Sequence, residues 1–142
     1  MKYLSMLFIS LLLFSCGENK GEKKDNSLNK ETGVDFSNKG IGPIKELKFD
    51  AINEELVQKG AAAYRSKCTA CHAIDKKLIG PALKGIYKRR SPEWVVNLLL
   101  NPTEMLKKDP IAMALLKEYN NIMMLNQNLS EDEALAIAEF MR

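Results

Sequence analysis

The 142-residue chain has one histidine and three cysteines, and these low counts exclude several classes of protein. A single histidine excludes metal sites that are built from several histidines. Three cysteines, the first of which follows an apolar run, cannot form the dense disulfide framework of a small secreted scaffold. The formal net charge of +3 is too small to indicate a nucleic-acid binder by itself. The length suits one domain and excludes a multidomain enzyme.

The composition is that of a globular protein. Apolar residues make up 46% and charged residues 27% of the chain, and these ordinary values exclude wholesale disorder. We therefore expect a small module with one special site.

The longest apolar run occupies residues 4–14 and is too short to span a membrane, because a transmembrane helix needs about 20 such residues. A lysine precedes the run, and this pattern is typical of an export signal. The following Leu13-Phe14-Ser15-Cys16 resembles the lipobox of bacterial lipoproteins, whose cysteine is lipidated and becomes the mature N-terminus. We predict a lipid anchor that attaches Cys16 to a membrane of the cell envelope, facing the periplasm. An uncleaved signal anchor and a soluble protein that loses Cys16 are the alternatives.

The sequence divides into three parts. Residues 1–15 are the predicted export signal. Residues 16–44 are predicted to be the lipidated cysteine and a flexible polar tether, because they contain too little apolar surface to offset the entropic cost of ordering. Residues 45–142 remain for the folded domain.

Helix signals dominate residues 45–142. Apolar residues recur at helical spacing over residues 52–67, with Gly60 among them. Serine and aspartate precede proline at positions 91–92 and 109–110, which predicts helices running to residue 101 and to about residue 120. Ser130 and Glu133 have the spacing of a capping box and predict a last helix to residue 142. We predict an all-α domain with long loops at 73–90 and 121–129 and a weak strand signal at 47–49.

The motif Cys68-Thr69-Ala70-Cys71-His72 is the attachment signature of c-type haem. On a helical turn, residues i and i+3 share a face, so both thiols can reach the two vinyl groups of one porphyrin. His72 can then offer its neutral imidazole nitrogen to the iron. We predict one haem c, bound covalently through thioethers to Cys68 and Cys71, with His72 as an iron ligand. The bulky cofactor would also complete the thin core of a domain of fewer than 100 residues.

Three other uses of the cysteine pair fit the sequence less well. A thioredoxin-like redox pair needs a βαβ scaffold, of which the sequence gives no sign. A zinc site needs a second pair of ligands, and the domain has no further cysteine or histidine. A disulfide across two intervening residues of a helix has poor geometry.

With this motif, residues 46–142 resemble a class I, monohaem cytochrome c. Gly60 and Tyr64 resemble the glycine and the aromatic residue of the family's N-terminal helix, residues 78–85 its glycine-proline loop, and Phe140 the aromatic residue of its C-terminal helix. The resemblance implies a cytochrome c fold of four to five helices wrapped around one haem. It also implies that the carbonyl of Pro81 accepts a hydrogen bond from His72 and that the first and last helices cross closely at Gly60.

The second axial ligand is expected to be a methionine, because the chain has no second histidine. The family places this ligand in the loop before the last helix, where Met123 and Met124 lie. The stretch from Met124 to Ser130 resembles the family's loop best with Met124 as the ligand, and Met123 or an open sixth site are the alternatives. Met105, Met113 and Met141 are expected to pack against other residues.

Basic residues are concentrated near the motif. Residues 65–90 contain one acidic and eight basic side chains, the latter being Arg65, Lys67, Lys76, Lys77, Lys84, Lys88, Arg89 and Arg90. Such a surface favours docking on acidic patches of redox partner proteins, although solubility alone also explains it.

The resemblance implies a one-electron carrier of a bacterial respiratory chain. Such a carrier shuttles electrons between membrane or periplasmic partners and is not an enzyme, so we expect neither a small-molecule substrate nor a nucleic-acid partner. A haem enzyme or a gas sensor with an open or labile sixth iron site is the alternative.

Overall fold

The computed structural model describes residues 34–142, so the predicted export signal, Cys16 and the tether up to residue 33 lie outside the described residues. The described part contains five α-helices, namely α1 (Glu54–Lys67), α2 (Pro92–Leu100), α3 (Pro102–Lys108), α4 (Pro110–Glu118) and α5 (Glu131–Phe140). A short 3₁₀ helix at Ile86–Lys88 interrupts the loop between α1 and α2. None of these helices is long and apolar enough to cross a membrane. The all-α prediction is confirmed over residues 34–142, where the weak strand signal at 47–49 was wrong.

The predicted start signals lie where the helices begin. The Ser91 hydroxyl accepts a hydrogen bond from the backbone N–H three residues further on, at the start of α2. The Asp109 carboxylate does the same at the start of α4, with a distance of 2.8 Å. Ser130 and Glu133 make both hydrogen bonds of a capping box at α5. These side chains satisfy N–H groups that the first turn of a helix leaves without a partner.

Sequence analysis missed α3, which begins two residues after α2 ends. The sequence predicts that α2 ends before Pro102, because proline disfavours helical backbone in the residue before it. Proline also suits the first position of a helix, where its missing N–H would have no partner. Pro102 therefore ends one helix and opens the next.

Helices α1 and α5 cross at close range where Gly60 lies. A Cβ atom added to Gly60 would stand 1.9 Å from the carbonyl oxygen of Ala136, so the contact leaves no room for a side chain. The rings of Tyr64 and Phe140 pack beside the crossing, with centroids 5.4 Å apart. The crossing that the resemblance implied is thus observed. It fixes the orientation of α1 and therefore of the turn that follows it.

Residues 38–49 form a strap along α2, and the prediction that the tether extends to residue 44 was wrong. Asn97, buried in α2, donates to the carbonyls of Lys39 and Ile44 at 2.8 and 2.9 Å and accepts from the N–H of Ile44 at 3.0 Å. The Ser91 hydroxyl donates to the carbonyl of Asn38 at 2.7 Å. Buried polar groups of α2 thereby satisfy the backbone of the strap, so residues 38–44 belong to the folded domain.

Glu93 makes a second attachment between α2 and the strap. Its carboxylate accepts from the backbone N–H of Leu47 at 3.1 Å and pairs with the ammonium group of Lys39 at 2.9 Å. Burial by itself would raise the pKa of Glu93, but the hydrogen bonds from Lys39 and from backbone N–H groups outweigh it and lower the pKa below its ordinary value. The carboxylate therefore stays charged and can accept hydrogen bonds from the strap.

The substitution Gly60→Ala tests the close crossing. Helix propensity alone predicts that alanine stabilises the helix by about 1 kcal/mol relative to glycine. Because the added methyl group would meet the Ala136 carbonyl, we expect instead a loss of about 1–3 kcal/mol in the free energy of unfolding, measured by denaturant titration. Ala62→Gly, at an exposed position of α1, is the control and should cost about 1 kcal/mol. A gain in stability for Gly60→Ala would show that the helices do not cross there.

Candidate functional site

A cavity of about 270 Å³ lies between the end of α1, helices α2 to α4 and the loop that precedes α5. Its helical walls are apolar and consist of Leu98, Leu99, Leu106, Ala112, Leu115 and Leu116. Cys68, Cys71, His72 and Met124 also line it. The structure thus brings all four predicted site residues of the domain to one cavity.

Cys68 and Cys71 lie on a helical turn that continues α1. The N–H groups of Cys71 and His72 both donate to the carbonyl of Cys68, at 3.1 and 2.9 Å. Both thiols are free, and Cys71 is the more exposed of the two. Burial raises the pKa of the Cys68 thiol above its ordinary value. The turn presents both sulfur atoms to the cavity, as the spacing of the motif predicts.

The imidazole ring of His72 is held by the loop that follows it. Its Nδ1 atom lies 3.1 Å from the carbonyl oxygen of Pro81, which is the contact that the resemblance implied. A carbonyl can only accept, so the neutral imidazole carries its proton on Nδ1 and has its free lone pair on Nε2, where a metal ion can bind. A Cβ atom on Gly80 would stand 2.4 Å from Cε1 of His72, so this glycine allows the loop to lie directly against the ring.

Tyr64 contributes a contact that sequence analysis did not identify. Its hydroxyl donates to the backbone carbonyl of His72 at 2.8 Å, while its ring is buried. The resemblance identified Tyr64 only as the aromatic residue of the N-terminal helix. The sequence does contain a hint of this contact, because a buried tyrosine usually needs a hydrogen-bond partner for its hydroxyl.

Two neighbouring methionines reach the cavity. Met124 is half-buried and packs against the core, whereas Met123 is 48% exposed. Met105 is fully buried outside the cavity lining, and its sulfur accepts the backbone N–H of Ile41 at 2.9 Å. Met141 packs against the core, as expected. Among the methionines of residues 34–142, Met123 and Met124 are therefore the two that line the cavity.

An ion pair connects the motif with the start of α5. The ammonium group of Lys67, which precedes Cys68, lies 2.9 Å from the carboxylate of Glu133. The backbone N–H of Ser130 and the ammonium of Lys67 both lower the pKa of Glu133. The same carboxylate thus serves the capping box of α5 and the end of α1.

The residues of the cavity fit a covalently bound haem. Two thiols on one turn match the two vinyl groups of a porphyrin, the oriented Nε2 of His72 matches an iron ligand, and the leucine-rich walls match an apolar macrocycle. Zinc fits less well, because residues 34–142 contain no group of three histidine, cysteine, aspartate or glutamate side chains that could hold a metal ion.

The substitution Gly80→Ala tests the seating of His72. The added methyl group would overlap the imidazole ring, so the ring or the loop must move and the Nδ1 contact with Pro81 must weaken. We expect the purified, haem-loaded protein to lose low-spin absorbance per chain. Lys84→Ala is the control, since it changes an exposed side chain of the same loop. Equal spectra for wild type and Gly80→Ala would contradict this account.

Comparison with known proteins agrees with the geometry of the site. Residues 57–142 match the family model of cytochrome c. The chain is similar to the solved cytochrome c of Rhodothermus marinus, with 40% identity, a TM-score of 0.68, and coverage of 70% of this chain and 86% of that one. It is also similar to the cytochrome c domain of a Pseudomonas putida protein, with 32% identity, a TM-score of 0.52, and coverage of 58% and 83%.

A curated relative matches over a shorter stretch. Cytochrome c-551 of Stutzerimonas stutzeri is 49% identical over 37 residues, which is 25% of this chain. The matched stretch covers 36% of that relative's length. Because the family match runs from within α1 to the last residue and the solved cytochromes share the helical fold, the chain belongs to the cytochrome c family, whose members bind haem c covalently.

Proposed function

We propose that the domain is a class I, monohaem cytochrome c that carries single electrons between redox partner proteins and does not act as an enzyme. The observation that carries this proposal is the cavity that receives both thiols of the motif, the oriented ring of His72 and a methionine. A bound haem supplies a reversible one-electron change at its iron. The residues of the chain attach the haem, supply the iron ligands and form the docking surface.

Cys68 and Cys71 hold the cofactor in this proposal, each through one thioether bond. Covalent attachment suits a domain whose helices are short and whose core is thin, because the cofactor cannot then leave when the domain opens. The Pro81 carbonyl keeps the proton on Nδ1 of His72 and raises the basicity of Nε2, and the hydroxyl of Tyr64 holds the backbone of the same residue.

Met124 supplies the second axial ligand in this proposal. Its support is that Met124 lines the cavity, is more buried than Met123 and begins the stretch to Ser130 that resembles the family's loop. A thioether ligand raises the reduction potential of a haem iron. A sixth position filled by the protein also leaves no site for a substrate, which suits an electron carrier.

We propose a location at the periplasmic side of a membrane of the cell envelope, through a lipid on Cys16. The support is the apolar run at 4–14 and the lipobox-like residues that follow it. Two or more acyl chains anchor a protein firmly, because each buried CH₂ group contributes about 0.8 kcal/mol.

The partners are proposed to be redox proteins with acidic docking surfaces. Several basic residues near the motif are engaged within the domain, since Lys67 pairs with Glu133 and Arg89 donates to the carbonyls of Ala82, Lys84 and Gly85. The exposed side chains of Lys76, Lys84 and Lys88 are the better candidates for long-range attraction of a partner.

The substitutions Met124→Ala and Met123→Ala test the ligand assignment. Removing the ligand should abolish the sulfur-to-iron charge-transfer band of the ferric protein and let the ferrous protein bind carbon monoxide. We expect both effects for Met124→Ala and neither for Met123→Ala, measured by visible absorption of the haem-loaded protein. The reverse pattern would assign Met123. Ready binding of carbon monoxide by the wild type would favour a haem enzyme or a gas sensor.

Neutralising Lys76 and Lys84 together tests the docking proposal. The double substitution to glutamine should slow electron transfer to an acidic redox partner several-fold at low ionic strength, because it removes attraction during the encounter. At about 1 M salt the Debye length is about 3 Å, and the two proteins should react alike. The measurement is a stopped-flow rate at a series of salt concentrations. A rate that is unaffected at every ionic strength would contradict the proposal.

A further inference from the structure

We propose that Lys77 and Tyr119 form a clasp that holds the methionine-bearing loop in place, so that both act as positioning residues for the second iron ligand. The ammonium nitrogen of Lys77 lies 4.3 Å from the centroid of the Tyr119 ring. This distance is that of a cation–π contact. The inference rests on the proposed function, because it concerns the proposed ligand Met124. The distal loop denotes residues 119–129.

The lysine side of the clasp is fixed to the C-x-x-C-H turn. Lys77 lies five residues after His72, in a loop that returns to the turn through the hydrogen bond from the N–H of Gly80 to the carbonyl of Cys71, at 2.8 Å. Within this loop the N–H of Leu78 donates to the carbonyl of Gly80 at 3.1 Å. The backbone that carries Lys77 is therefore tied to the residues that hold His72.

The tyrosine side lies where α4 gives way to the distal loop. Tyr119 caps α4, and its ring lines the cavity. Asn120 and Asn121 both have a φ of 58°, in the left-handed region that residues other than glycine rarely adopt. The N–H of Asn121 donates to the carbonyl of Leu116 at 2.8 Å, which closes the turn. This corner directs Met123 and Met124 into the cavity wall.

The stretch beyond the corner has few attachments of its own. The described hydrogen bonds of residues 123–129 are local, such as that from the N–H of Asn128 to the side chain of Asn126. Leu125 is 72% exposed. The position of Met124 therefore depends on packing and on how the two ends of the distal loop are held.

Each end of the distal loop is held by a lysine that flanks the motif. Lys67, immediately before Cys68, pairs with Glu133 just beyond the far end of the loop. Lys77 lies against the ring of Tyr119 at the near end. Loss of the Lys77 contact would free the corner at Asn120 and Asn121 and let the loop move away from the cavity more often. An external ligand would then compete with the methionine sulfur more successfully.

The experiment compares how easily imidazole displaces the native ligand in the ferric, haem-loaded full chain. We expect Lys77→Gln and Tyr119→Leu each to raise the apparent affinity for imidazole about two- to fivefold, as the strength of an exposed cation–π contact implies. Tyr119→Phe keeps the ring and Lys77→Arg keeps the cation, so both should behave like the wild type. Lys76→Gln removes the same charge from an exposed neighbour and is the matched control. The double variant Lys77→Gln/Tyr119→Leu should differ little from either single variant, because the two substitutions remove one contact.

Three results separate failure of the clasp from failure of the proposed function. A wild-type protein with the sulfur-to-iron band, together with equal imidazole affinities for Lys77→Gln and Lys76→Gln, would overturn the clasp alone. Additive effects in the double variant would overturn it as well. A wild-type protein that lacks the band would overturn the methionine ligation on which the clasp depends.

Discussion

The contact between the backbones of α1 and α5 at Gly60 is the constraint on which the rest of the site depends. It sets the axis of α1, and the turn with both cysteines and His72 is a direct continuation of that axis. The same contact positions α5, into which the distal loop leads. The ion pair between Lys67 and Glu133 joins the two helices again beside the motif. The helix pair of α1 and α5 therefore positions the motif, whereas helices α2 to α4 supply the apolar walls of the cavity.

His72 is restrained from three directions by groups that are themselves fixed. The carbonyl of Pro81 orients Nδ1, Gly80 leaves space for the ring, and the hydroxyl of Tyr64 holds the backbone carbonyl. Tyr64 belongs to α1 and packs on Phe140 of α5. The restraint on the iron ligand therefore depends on the crossing of these two helices. The methionine side has no comparable set of hydrogen bonds. We expect the histidine to be the firmer of the two ligands.

The features that sequence analysis predicted correctly are those determined by a few adjacent residues. The caps at Ser91, Asp109 and Ser130 and the C-x-x-C-H turn depend on spacings of one to four positions. The position of α3 was missed because one proline ends a helix and opens another. The strap was missed for a different reason, since Asn97 meets its backbone partners 53 and 58 residues away and no local pattern encodes that pairing. The contact of Lys77 with Tyr119 likewise depends on the tertiary fold.

The strap along α2 has a consequence for how the smallest autonomous unit of this protein is defined. The family match begins at residue 57, whereas the strap occupies residues 38–49. A fragment that begins at the family boundary would lack the backbone partners of Asn97 and Glu93, so their amide and carboxylate groups on α2 would lose these hydrogen bonds. Each buried polar group that loses its partner costs about 1–3 kcal/mol, and small domains have little stability in reserve. The family boundary alone thus places the N-terminal limit of the foldable unit almost twenty residues too late.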